Sequence, residues 1–155
     1  MTESEMKTRA EAYCSAAEHC RSEVRAMLER HGAEKPDIER ILDYLVKEGF
    51  IDESRYARAF VHDKVRFAKW GRGKIAQTLW QKRVPQDVAE KAISSIDDEE
   101  YMTALKDVVK SKYRTMKGET EYECKMKTMK SVCTRGYEPR SRSEERFSRN
   151  AETDL

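Results

Sequence analysis

Apolar residues recur every three or four positions along most of this sequence, the spacing of amphipathic helices. The clearest run follows Asp52, whose carboxylate suits an N-cap. Glu53 adds negative charge at the positive end of the helix dipole. Tyr56, Ala57, Phe60, Val61 and Phe67 then form one apolar side, with Phe60 at its centre, while Arg55, Arg58, His62 and Arg66 fall elsewhere. The pattern predicts a long helix over 53–69 with its aromatic residues in a core. Gly71 and Gly73 are expected to end it, because glycine enters left-handed backbone space without steric penalty. Ile75, Leu79 and Val84 restart the period.

Shorter runs flank this one. Residues 3–18 read as a first helix. Ser22 is expected to cap a second, carrying Val24, Met27 and Leu28 and stopped by Gly32. Pro36 suits the first turn of a third, with Ile38, Ile41, Leu42 and Leu45 as its stripe and Gly49 at its end. After the long helix, short helices are expected over 72–82 and from Pro85, the latter with Val88, Ala92, Ile93 and Ile96. Asp97 with Glu100, and Thr120 with Glu123, have the spacing of capping boxes. The first opens a helix with Tyr101, Leu105, Val108, Val109 and Tyr113. The second opens one with Met126, Met129, Val132 and Cys133, closed by Gly136.

The order short, short, long occurs twice and starts a third time. Val24, Leu28 and Ala33 share their intervals with Ile75, Leu79 and Val84, and with Thr128, Val132 and Tyr137. The pattern predicts an N-terminal helix (1–19), a first repeat (20–70), a second (71–117), a partial third (118–148) and a disordered tail (149–155). One three-helix unit buries little surface alone. Stacked units share a core, so the expected fold is all-α, tandem three-helix repeats stacked into an elongated, curved body.

Composition agrees with helices. Glycine and proline number only 6 and 3, too few for a turn-rich β fold. Mean hydropathy is −0.91, so the core is thin. No run approaches the roughly 18 apolar residues of a membrane span, and the acidic, polar N-terminus does not read as a signal peptide. A cytoplasmic protein with no membrane contact is expected. Cys14, Cys20, Cys124 and Cys133 lack the spacing of common zinc sites. They read as free thiols packed as small apolar residues, with no metal and no cofactor. His19, His31 and His62 are scattered, and no nucleophile–base or paired-carboxylate arrangement stands out, so no catalytic residue is assigned.

Two stretches, GFIDESRYARAFV (49–61) and KWGRGKIAQTL (69–79), resemble the RecX family of regulators of the RecA recombinase. The resemblance extends over about 20–137 and is weakest in the third copy, where CTRGY (133–137) is similar to the family's Arg-Arg-Gly-Phe element. Arg83 stands where the family usually has glycine, and Thr128 where an apolar residue is usual. The resemblance implies three tandem three-helix repeats. It also implies a non-enzymatic protein that binds RecA and modulates, mostly inhibits, its filament on single-stranded DNA.

Net charge is only +2, which excludes an overall basic footprint but not a local patch. Lys64, Arg66, Lys69, Arg72, Lys74, Lys82 and Arg83 form a run with no acidic residue between 64 and 86. Together with Trp70, read as core or interface anchor, they are the candidate surface for RecA or its nucleoprotein filament. Gly71-Arg72-Gly73 lacks the strand and the Gly-Lys-Ser/Thr ending of a phosphate loop and reads as helix punctuation. The acidic run 97–100 reads as capping. The alternative function is a nucleic-acid-binding helical module acting without RecA. A monomer with at most weak direct DNA contact is expected.

Overall fold

Thr2, Asp52, Asp97 and Thr120 each precede a helix and accept a first-turn amide on a side-chain oxygen. Each thereby satisfies a donor that a helix start leaves unpaired. The computed structural model describes residues 1–138. Its helices are α1 (Glu3–Ala16), α2 (Arg21–Arg30), α3 (Lys35–Lys47), α4 (Glu53–Asp63), a π-helical turn (Lys64–Ala68), α5 (Arg72–Gln81), α6 (Gln86–Ser94), α7 (Asp98–Thr115) and α8 (Glu121–Thr134). No strand occurs among the described residues, so the fold is all-α with tandem helical repeats. The rest of the third copy beyond 138, and the tail expected at 149–155, lie outside the described residues.

The backbone divides into two compact units. The first joins Met1–His62 to Ala76–Ser95. Its core gathers Met6 and Ala10 of α1, Val24 and Leu28 of α2, and the α3 stripe. Ile38, Ile41, Leu42 and Leu45 are each 3% exposed or less. Burying such side chains stabilises by roughly 1.5–3 kcal/mol each. The N-cap of α2 is Cys20, not Ser22. The Cys20 amide donates to Glu23 Oε1 at 3.2 Å, while the Ser22 hydroxyl donates to the Lys82 carbonyl at 2.5 Å. Glu53 accepts the Arg21 amide at 2.7 Å, so this first-turn acid of α4 also closes the start of α2. Burial pushes the Glu53 carboxyl above its ordinary range.

The second unit holds Asp63–Ile75 and the described residues from Ile96 onward. In it α7 packs along α8 and against the π turn. Tyr101, Ala104 and Val108 of α7 are buried, as are Thr128 and Val132 of α8 and Tyr137 beyond it. The Tyr101 and Tyr137 rings lie 5.4 Å apart.

The long helix departs from its expected form. It reaches Ala68 but winds as a π turn after Asp63. A π turn takes more residues than an α turn, so Phe67 leaves the apolar side and is 74% exposed. Tyr56 is buried and Phe60 partly so, with ring centroids 5.8 Å apart; the aromatic set is not one core. The left-handed residue at the end is Lys69 (φ 54°), not a glycine. Gly71 and Gly73 meet another demand. Their amides donate to the carbonyls of Arg135 and Gly136, each at 2.9 Å. A Cβ on Gly71 would overlap the Gly136 carbonyl carbon and the Tyr137 nitrogen.

The equivalent positions of the three copies behave alike. Val24 and Leu28, Ile75 and Leu79, and Thr128 and Val132 are all buried. Thr128 satisfies its hydroxyl by donating to the Cys124 carbonyl at 2.7 Å. Gly32, Arg83 and Gly136 all have positive φ (80°, 60° and 97°). Arg83 thus holds a left-handed conformation where the sister copies have glycine. In α8 only part of the expected apolar side is covered: Val132 is buried, but Met126, Met129 and Cys133 are exposed. Of the four free thiols, Cys20 alone is fully buried.

Candidate functional site

The loop 69–71 between the π turn and α5 sets the geometry of the cationic run. Lys69 closes the π turn by donating its amide to the Lys64 carbonyl, and the Trp70 amide reaches the same oxygen at 2.8 Å. This fold-back brings Lys64, Trp70 and Lys74 together. The two ammonium groups lie 4.6 and 4.2 Å from the Trp70 ring centroid. Trp70 is partly exposed, so the cluster is a surface platform of cations on an indole rather than a core.

The other cations of the run in this unit, Arg66, Lys69 and Arg72, meet acids that the local sequence does not contain. Arg66 Nε donates to Glu100 at 2.7 Å and Lys69 Nζ to Asp107 at 3.2 Å. Arg72 pairs with Asp98 at 3.1 Å and lies 3.7 Å from Glu138. Thus α7 neutralises much of the run. The acidic start of α7 does cap, since Asp97 accepts the Glu100 amide at 3.0 Å, but Asp98 and Glu100 turn their carboxylates to arginines.

Exposure sorts these residues. The Arg72 side chain is 14% exposed, with its guanidinium 3.9 Å from the Tyr101 ring centroid. The Tyr101 hydroxyl accepts the Arg72 amide at 3.1 Å and donates to Glu138 at 2.7 Å. Burial, reinforced by Glu138, raises the Tyr101 pKa and keeps that hydroxyl protonated. Arg72 therefore belongs to the internal structure of the unit. Arg66 and Lys69 stay substantially open to solvent. Exposed ion pairs are worth only about 0–1 kcal/mol, so these two can exchange an internal carboxylate for a partner's acid at little cost.

Lys82 and Arg83 lie in the first unit. Lys82 is tied to Glu23 at 3.2 Å, and Arg83 is exposed. Within 64–86, two exposed aromatics escaped the sequence reading as surface residues. Phe67 stands on the π turn beside Arg66, and no periodicity reveals that turn. Trp80 is also open to solvent. It sits about 100° round the helix from buried Leu79, a signal that a helical projection contains.

In class, this is an all-helical protein built of tandem three-helix domains. Residues 52–93 match the family model of RecX, second three-helix domain. Over that domain the chain is similar to the RecX family. Regulatory protein RecX of Prosthecochloris aestuarii is 36% identical over 89 residues, covering 57% of this chain and 59% of that protein. Regulatory protein RecX of Leptothrix cholodnii is 34% identical over 91 residues, covering 59% and 57%. The chain therefore spans less than two thirds of these relatives. A crystal structure of regulatory protein RecX superposes with a TM-score of 0.81 at 21% identity, over 88% of this chain and 68% of the other. At that identity it shows the shared fold. No described helix is long and apolar enough to cross a membrane.

Proposed function

We propose that this chain is a RecX-type regulator that binds the RecA filament on single-stranded DNA in the cytoplasm and lowers its recombinase and ATPase activity. The observation that supports this most is the RecX domain match at 52–93, because that span holds the whole cationic run. In this reading the docking surface is the Lys64–Trp70–Lys74 platform with Arg66, Lys69 and exposed Phe67. Cations there meet acidic side chains or phosphates by charge complementarity, and Phe67 supplies apolar contact. Arg72 positions the loop.

The test is RecA ATPase on single-stranded DNA with the protein titrated in. Wild type lowers the rate. Arg66→Glu with Lys74→Glu weakens inhibition and its salt sensitivity while the helical circular dichroism is unchanged. The same reversal at Arg142 and Arg146 has little effect. Loss of inhibition in the 142/146 variant alone would overturn the placement. An exposed aromatic beside cations also suits single-stranded nucleic acid. That second reading predicts binding to DNA without RecA, with steep salt dependence.

A further inference from the structure

Within the first unit, α5 and α6 together line an open groove of about 1000 Å³. Ala76 and Trp80, four apart, line it from α5, and Ala89 and Ile93, four apart, line it from α6. Residues at that spacing share a helix face. Val84, from the turn that joins the two helices, is buried and completes the apolar lining. Alanine at two of these positions leaves room for an incoming side chain. Trp80 is 77% exposed. A large indole left open on an apolar groove marks an interaction surface, and tryptophan and arginine are the residues on which such surfaces most often turn.

Arg83 lines the same groove and is held there at a cost. Its φ of 60° is left-handed, a conformation that strains a residue with a Cβ. The equivalent positions of the other copies, Gly32 and Gly136, are free of that strain. Strain that persists points to a use. No internal ion pair supplies one: the Arg83 side chain is exposed, and among the described residues no carboxylate pairs with its guanidinium. Neighbouring Lys82, by contrast, is tied to Glu23. The Arg83 fork is therefore open to a carboxylate from outside, which it can hold in two parallel hydrogen bonds.

The charges choose the occupant. Among the described lining residues Arg83 is the one cation and Glu90 the one acid. Glu90 accepts a hydrogen bond from Gln86 at 3.0 Å and has no cation beside it among the described residues. A nucleic-acid strand draws its affinity from several cations along its phosphates. Here it would find one, with an acid opposing it. A protein segment can match both charges and the apolar lining at once. We propose that the groove between α5 and α6 docks a segment of a partner protein that carries one large apolar side chain between an acidic and a basic residue. The apolar side chain enters against Trp80, Ala89 and Ile93, the acid meets Arg83, and the base meets Glu90. This surface uses none of the residues of the cationic platform and does not depend on the RecA reading.

Selection of a random peptide library, displayed on phage, against the immobilised full chain tests it. Selected peptides share a large apolar residue between an acid and a base. A synthetic copy of the most enriched peptide is then titrated into Trp70→Phe, where Trp80 is the sole indole. It shifts Trp80 emission to the blue and saturates. Trp80→Ala abolishes binding. Arg83→Gly, with equal helical circular dichroism, weakens binding about tenfold, as loss of one charge-assisted hydrogen bond does. Selection against Arg83→Glu yields peptides with a base where wild type selects the acid. No enrichment on wild type overturns the proposal, as do peptides that bind Trp80→Ala equally well or keep their acid on Arg83→Glu. A thymidine oligonucleotide that shifts Trp80 emission as strongly as the peptide also overturns it and assigns the groove to nucleic acid.

Discussion

Helices α3 and α8 have nearly equal length, 13 and 14 residues, and both carry apolar residues at helical spacing. They differ in what covers those residues. In α3 Ile38, Ile41, Leu42 and Leu45 are all buried, packed with residues of α1 and α2. In α8 only Thr128 and Val132 are buried, and the larger side chains face solvent. Much of the hold on α8 comes from just beyond its end. The Arg135 guanidinium donates to the carbonyls of Lys69 and Ala68, Gly71 and Gly73 donate to carbonyls of that segment, and Tyr137 is buried. One helix is held by its whole apolar stripe, while the other packs along α7 on a narrower stripe and is held as well by the segment that follows it. Periodicity identifies an apolar stripe but does not say whether anything lies against it.

The largest effect contrasts the two stripes directly. Leu42→Ala should lose about 2–5 kcal/mol, the transfer term plus the cavity. Met129→Ala should change the stability of the monomer by less than about 0.5 kcal/mol. Urea unfolding measures both, and equal losses would break the comparison.

The next effect probes the hold on α8. Gly71→Ala forces the new Cβ into the backbone of Gly136 and Tyr137, which cannot yield as a flexible side chain would. A loss of about 1–3 kcal/mol is expected. It should come with faster amide exchange in α8 but not in α3. Uniform exchange across both helices would show that the segment 135–137 is not the anchor.

The smallest effect concerns the left-handed position shared by the three copies. Arg83→Gly should gain up to about 1 kcal/mol, since glycine carries no Cβ penalty at φ 60°. A thermal melt measures the gain, and the inhibition assay on the same variant shows whether the charge is used. A loss of stability would mean that the Arg83 side chain holds the turn.

Much of this was legible beforehand. Asp52, Asp97 and Thr120 each accept a first-turn amide as expected, but Glu100 turns to Arg66 and Glu123 to the Glu119 amide, so the expected boxes at 97/100 and 120/123 form only by half. The first two residues of each recurring triplet are buried in every copy. The resemblance carried by 49–79 agrees with the RecX second-domain match at 52–93. Phe67 was misplaced because its seven-residue interval from Phe60 is correct for an α-helix and wrong across a π turn. The cationic run looked unopposed because its acids, Glu100, Asp107 and Asp98, lie some 26–38 residues away in sequence.

Helix starts, helix lengths and the inward positions of each repeat follow from local chemistry: caps satisfy nearby amides, and apolar side chains three or four apart share one face. That much the sequence determined by itself. The pairing of Arg72 with Tyr101 and Asp98, the glycine contact between 71 and 136, and the uncovered row on α8 were decided only in the tertiary structure. Each depends on which distant segment comes within a few ångströms, and the spacing of residues along a chain does not record that distance.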